Sequence, residues 1–309
     1  MASSLPVHMR NSQQRGYART YPKSMQPPLL IAVIVLYQRQ PQESEAFVSL
    51  SSLLQQEPGL REQIHVLLYD NSPEPHTVPP ASFPLTYHSD PSNRGLAPAY
   101  NAALDLAHQQ GAPWLLLLDH DTELTPAYFH EALAFLENTA PLHPKIALAV
   151  PRLVQGTKVH SPSLLPRVRH KPVPPTLTGI AKQEISAFNS GLLLRASAIE
   201  AVGGFPLRYS MEFLDHALLA MLQSNGGRVW LLGSALPHAL STTSLGTGIS
   251  RDRYLLMLQA ESTFHQEFSD PMTRFWYRLR CLRQAAVHAL RFSDKKFAFL
   301  DLRAAFGLL

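Results

Sequence analysis

Cysteine is almost absent from this 309-residue chain: Cys281 stands alone. One thiol makes neither a disulfide framework nor a cysteine-based zinc site. Cys281 therefore reads as a small apolar residue on a helix face, and a reducing cytoplasm is the expected compartment. Long hydrophobic runs are missing as well. The apolar stretch Leu29–Leu36 falls far short of the roughly 18 residues that a membrane helix needs. Residues 1–28 carry Arg10, Arg15, Arg19 and Lys23 but no continuous apolar segment. That argues against a signal peptide and predicts a disordered polar leader. Glycine is outnumbered by proline, 15 to 26, which predicts many loops and breaks. No Gly-x-Gly-x-x-Gly follows the first apolar run and no Walker-type loop occurs, so the two commonest glycine-rich nucleotide cradles are excluded. The net charge is only +4. With no dense Lys/Arg stripe interleaved with aromatics, nucleic acid is excluded as a partner.

What is present describes an α/β chain. Apolar residues make up 45% and charged residues 16%, enough for one large core. Leu29–Leu36 is continuous, apolar and β-branched, the pattern of a central parallel strand. Helical spacing follows over Gln42–Gln56. A second strand is expected over Ile64–Tyr69, a third over Leu85–His88, a helix over Leu96–Gln110 and a fourth strand over Trp114–Leu118. Pro126–Leu136 reads as a helix and Ile146–Val150 as a strand. Pro151–Gln183, rich in proline and basic residues, reads as a long loop or mobile flap. A short helix Ala196–Val202 is closed by Gly203-Gly204. Met211–Asn225 is a further helix and Arg228–Leu232 a strand. Beyond Arg251 the pattern is helical, amphipathic and basic. Strand–helix alternation predicts a doubly wound, mostly parallel sheet with ligands beyond the carboxyl ends of the strands. The expected division is a leader (1–28), a catalytic domain (29–245) and a helical extension (246–309).

The chemistry concentrates in Asp119-His120-Asp121. Two carboxylates one residue apart, at the end of a buried strand, suit a hard divalent cation such as Mg²⁺ or Mn²⁺. The competing reading is a solvated turn with a capping aspartate. Position favours the first. Val35-Leu36-Tyr37 ends the first strand, Asp70-Asn71-Ser72 ends the second, and Asn93-Arg94-Gly95-Leu96-Ala97 opens a helix.

With Asn101, Asn189-Ser190-Gly191, Val202-Gly-Gly-Phe205 and Phe213-Leu214-Asp215, this order resembles the inverting family-two glycosyltransferases of GT-A fold. It looks closest to the rhamnosyltransferase-like branch that builds bacterial surface polysaccharides. The likeness runs from about Leu29 to His238, with an echo near Arg251–Gln259. It implies a Rossmann-like nucleotide-sugar half and an acceptor half. Tyr37 and Asp70 would flank the base of a UDP- or dTDP-sugar, Asp70 accepting from the pyrimidine N3–H. Asn93, Arg94, Gly95 and Asn101 would line the donor path. Asp119 would lie near the ribose and metal, Asp121 would bind the metal, and His238 would complete the metal site or touch the diphosphate. Ser190 and Gly191 would shape the sugar floor. Arg251, with Arg253, would close over the diphosphate. The base that takes the acceptor proton is sought among Asp215, His216 and Glu212, with Asp215 first. The family often carries another aspartate where this chain has Leu218.

The expected partners are a nucleotide-sugar donor and a glycan or lipid-linked acceptor. The basic C-terminal helices offer peripheral contact with the inner face of a membrane. Two rivals are a nucleotidyltransferase, which lacks its basic glycine-rich loop here, and a catalytically degenerate carbohydrate- or partner-binding module, for which Leu218 speaks.

Overall fold

The computed structural model describes residues 26–164, 171–237, 250–292 and 294–309. In chain order the strands are β1 (Leu30–Leu36), β2 (Ile64–Asp70), β3 (Leu85–Ser89), β4 (Trp114–Asp119), β5 (Ile146–Gln155), β6 (Lys158–Ser161), β7 (Ser163–Leu164), β8 (Lys171–Pro172), β9 (Gly179–Ile180), β10 (Ile185–Ser186), β11 (Leu192–Arg195) and β12 (Arg228–Pro237). The helices are α1 (Glu45–Gln56), α2 (Leu96–Gln110), α3 (Pro126–Ala134), α4 (Ala196–Ala201), α5 (Leu214–Ser224), α6 (Arg251–Phe268), α7 (Pro271–Arg291) and α8 (Lys296–Ala305).

The main sheet runs β3-β2-β1-β4-β11-β5-β12-β9, with β6 paired to β5. Strands β1 to β4 are mutually parallel, while β11 lies antiparallel between β4 and β5. The expected α/β sheet is thus present, mostly parallel, with β1 central. Strand alternation splits it into two cores. Ile31, Val33 and Val35 face one side with α2 and α5. Leu30, Ala32, Ile34 and Leu36 face the other with α1 and α3. Burial on both faces is why β1 reads as an unbroken apolar run.

Two expectations change. Met211–Asn225 is not helical throughout: Phe213 takes a left-handed conformation, φ 61°, and α5 begins after it. Pro151–Gln183 is not one long loop. β5 runs through Pro151 to Gln155 and β6 returns along it, while β7, β8 and β10 form a small second sheet; residues 165–170 lie outside the described residues. Pro151 is tolerated because β12 bulges opposite it, between Leu231 and Ala235, so no ladder donor is lost. Side chains satisfy the bulge. Arg152 donates to the carbonyls of Leu232 and Gly233, and the Glu131 carboxylate accepts from the amides of Gly233 and Ser234 at 2.7 Å each. A proline-rich composition could not reveal a bulge whose partners come from α3.

Among the described residues no helix is long and apolar enough to cross a membrane. The helices α6 to α8 close around a small core of their own, including Tyr254, Leu258, Tyr277, Cys281 and Leu300. Phe264 and Phe268 of α6 pack back on the main core beside α5.

Candidate active site

The carboxyl ends of β1, β2 and β4 form one edge. In the ladder Val35 pairs with both Tyr69 and Asp119, and Leu36 pairs with Asp70. Strand spacing of about 4.8 Å puts the backbones of Tyr69 and Asp119 about 10 Å apart across this edge. Tyr37 follows β1 and is 44% exposed, a free ring face at that edge. The next residue, Gln38, is held by its amide, which donates to Ser72 Oγ at 2.7 Å.

Asp70 is wholly buried. Its Oδ1 accepts from the Ser72 amide at 2.9 Å, and its Oδ2 accepts from the Tyr87 hydroxyl at 2.6 Å and contacts His76 Nδ1 at 2.8 Å. Burial opposes its ionisation, but the donors from Ser72, Tyr87 and His76 outweigh it and hold the carboxyl below the usual range. Asp70 thus organises the turn 70–76.

Asn93, Arg94 and Gly95 lead into α2. Gly95, at φ 92°, allows a close backbone approach, but to this chain itself: a Cβ would overlap the Ser210 carbonyl. That carbonyl accepts from the Leu96 amide at 2.6 Å, so it takes a donor of the α2 N-terminus that an anion would otherwise use. Asn93 and Arg94 are exposed. Arg94 donates to Asp90 at 3.1 Å. Asp90, which the sequence reading passed over, gathers Arg94, Ser92 and the Tyr69 hydroxyl. Burial opposes its ionisation, yet these donors pull it down to about 2. The Asp-Pro-Ser turn signature was the available signal. Asn101 does not face a ligand either. Its amide donates to the Phe205 carbonyl and its oxygen accepts from the Phe205 amide, both at 2.9 Å. It clamps the Gly-Gly-Phe turn to α2.

Asp119 and Asp121 stand on a supported turn. Ser44, the N-cap of α1, donates its hydroxyl to the His120 carbonyl at 2.8 Å, and the Leu124 amide donates to Ser49 at 3.0 Å. Ser190 donates to Asp119 Oδ2 at 2.6 Å. Asp121 is exposed. Gly191 packs into the core, where its carbonyl accepts from Tyr128 at 2.7 Å; a side chain there would meet Leu236 and Pro151. The missing side chain lets the backbone at Gly191 pack against Leu236 of β12 and Pro151 of β5. Among the described residues no group of three or more metal-ligating side chains exists. The donor set of Asp119 and Asp121 instead fits a hard cation held by two carboxylates and completed by phosphate oxygens and water. His238 lies outside the described residues.

Residues 32–179 match the family model described as Glycosyl transferase family 2. Over that stretch, a little under half of the chain, the sequence is similar to this family. The fold agrees. The chain is similar to GalNAc-T7 solved with UDP, GalNAc and Mn²⁺, with 12% identity and a TM-score of 0.58, covering 93% of this chain and 57% of that one. It is more loosely similar to S. aureus TarS 1-349, with 12% identity and a TM-score of 0.47, covering 90% and 91%; a likeness at that level carries no weight here. The chain spans 53% of the longer TarS chain. No curated protein sequence is similar enough to count as a relative.

The other side of the candidate site is built from α5. Tyr100, on α2, is fully buried and was missed by the sequence reading because it sits among core alanines. Burial chiefly drives its phenol upward, and the charges of Asp119 and Asp215 push it further. The end of β4 and the start of α5 thus both act electrostatically on one buried hydroxyl. Asp215 Oδ1 accepts from the His216 amide at 2.7 Å. His216 is packed: Nδ1 contacts Ser186 Oγ, and the rings of Phe188, Phe213 and Phe264 surround it. Glu212 faces Arg253 at 3.5 Å. The charge of Arg251 acts on Asp294, just before α8. Leu218 is buried in the core, which gives that leucine a packing reason.

Proposed function

We propose that the protein is an inverting glycosyltransferase that moves a sugar from a UDP- or dTDP-sugar to a glycan or lipid-linked acceptor. Rhamnose is the sugar we favour, and surface polysaccharide synthesis the setting. The observation that carries this is the match of residues 32–179 to Glycosyl transferase family 2, with Asp119 ending the buried strand β4 and Asp121 exposed just beyond it. In this reading Tyr37 stacks on the base, and Asp70 fixes the turn beside it. Asp119 and Asp121 would hold a Mg²⁺ or Mn²⁺ ion, which would supply charge neutralisation to a leaving diphosphate. That the fold neighbour GalNAc-T7 was solved with UDP and Mn²⁺ supports the choice.

Asp215 accepts the proton of the acceptor hydroxyl as its oxygen bonds to the anomeric carbon. The bond from that carbon to the phosphate oxygen breaks on the opposite face, and the nucleoside diphosphate leaves with the electron pair. Asp215 is the base we favour because His216 is enclosed by aromatics and Glu212 faces Arg253. We place the enzyme in the cytoplasm, in peripheral contact with a membrane.

The test is sugar transfer and donor hydrolysis with purified protein. Asp121→Ala should abolish turnover and metal dependence while the fold survives. Asp215→Asn should lower turnover at least about a hundredfold with donor binding retained. Unchanged turnover of Asp121→Ala in metal-free buffer would sink the reading. A degenerate binding module, the other reading, predicts donor binding with no turnover even in the unaltered chain.

A further inference from the structure

Helix α7 carries two apolar stripes. Tyr277, Cys281, Ala285 and His288 are buried against α6 and α8. Met272, Phe275, Leu279, Leu282 and Leu290 are all exposed, Phe275 by 57% and Leu290 by 89%. These recur every three or four residues, with one longer step spanned by exposed Ala286. At about 100° per residue they lie on the side opposite the packed stripe. Helix α8 repeats the pattern: Ala298, Leu300 and Ala304 are buried, while Phe299, Leu302 and Phe306 are exposed. The two helices pack on one another, and Arg278 of α7 reaches Gly307 at the end of α8. A soluble helix has one apolar stripe because one face packs; a second stripe needs a second apolar phase.

Charge identifies that phase. Residues 271–309 hold six arginines and two lysines against Asp294 and Asp301. Asp301 is buried and held by Tyr254 and His288 at 2.6 Å each, and Asp294 pairs with Lys296 at 3.2 Å. The rim of the outer stripe, with exposed Arg278 and Arg283, is therefore cationic. A second copy docking face to face would set this rim against itself. An anionic lipid surface matches both the apolar stripe and the rim.

We propose that the outer face of α7 and α8 is a docking surface for anionic lipid bilayers. It lies in the interface with Phe275, Leu279 and Leu282 inserted and the arginines among the headgroups. Through α6, whose Phe264 packs on Phe213 and His216, this face is rigidly joined to the acceptor side of the site. The inference deepens the membrane contact proposed above, but it does not depend on the donor, the acceptor or catalysis.

The experiment is flotation of the full chain with vesicles of phosphatidylcholine alone and of phosphatidylcholine with about 30% phosphatidylglycerol, read beside donor hydrolysis in solution. The chain should float with the anionic vesicles, and less so as salt rises. Phe275→Ser with Leu279→Ser should cut flotation at least about tenfold while circular dichroism and solution hydrolysis stay unchanged. Arg278→Glu with Arg283→Glu should weaken binding to the anionic vesicles, again with the fold and hydrolysis intact. No flotation of the unaltered chain overturns the proposal. So does flotation indifferent to both double variants. A dimer in light scattering that Phe275→Ser with Leu279→Ser dissociates, without lipid binding, shows a second copy as the occupant and also overturns it. Hydrolysis without flotation removes the docking surface alone; flotation without hydrolysis removes the proposed reaction alone.

Discussion

Ser190 donates its hydroxyl hydrogen to Asp119 Oδ2 at 2.6 Å, tying the entry of β11 to the end of β4. Ser190 itself is buried, so it cannot reach a substrate by swinging outward. A hydrogen bond from a buried hydroxyl to a carboxylate fixes that carboxylate's rotamer and strengthens with low local dielectric. Ser190→Ala should keep the fold and lower turnover about tenfold, with weaker metal affinity, as partners behind a metal ligand do. Metal titration of activity checks it; unchanged metal affinity and rate would remove Ser190 from the site.

Asn101 should behave as a structural clamp. Asn101→Ala strips both partners from the Phe205 backbone and leaves a carbonyl and an amide unpaired. The expected cost is about 2 kcal/mol or more, read from urea unfolding. Donor affinity of the folded fraction should stay the same. A stable variant with lost donor binding would restore the ligand-contact role that the sequence pattern suggested.

Asp90 predicts a pH signature. Its folded pKa, about 2, lies below the ordinary carboxylate value. Its stabilisation is therefore complete above the unfolded value of about 4 and is lost as pH falls from there through 2. Asp90→Asn should be less stable than the unaltered chain at neutral pH, and the gap should close as pH falls over that window. Urea midpoints of both proteins at a series of pH values measure the gap. A gap independent of pH would mean that the loss comes from packing and not from charge.

Much of the fold was legible from periodicity alone. The apolar run of β1, the Ala-rich face of α2 and the four leucines before Asp119 are local patterns, and each became the element expected of it. The polar residues at strand ends fall on one edge, because a parallel sheet gathers those ends on one side whatever the loops do. The Pro151–Gln183 segment was misread because a bulge in β12, stabilised by Arg152 and Glu131, is a long-range arrangement.

What the chain's own order determined, then, is the sheet, its polar edge and the family-two character of residues 32–179. Only the tertiary structure decided which polar residues at that edge stay free. Asp70, Gly95, Asn101 and Gly191 each contact their own chain, at His76 and Tyr87, at Ser210, at Phe205 and at Tyr128. Tyr37 and Asp121 remain exposed. The physical reason is that a buried polar group must find a partner wherever the fold brings one. Those partners lie tens of residues away in most cases, where no local pattern points.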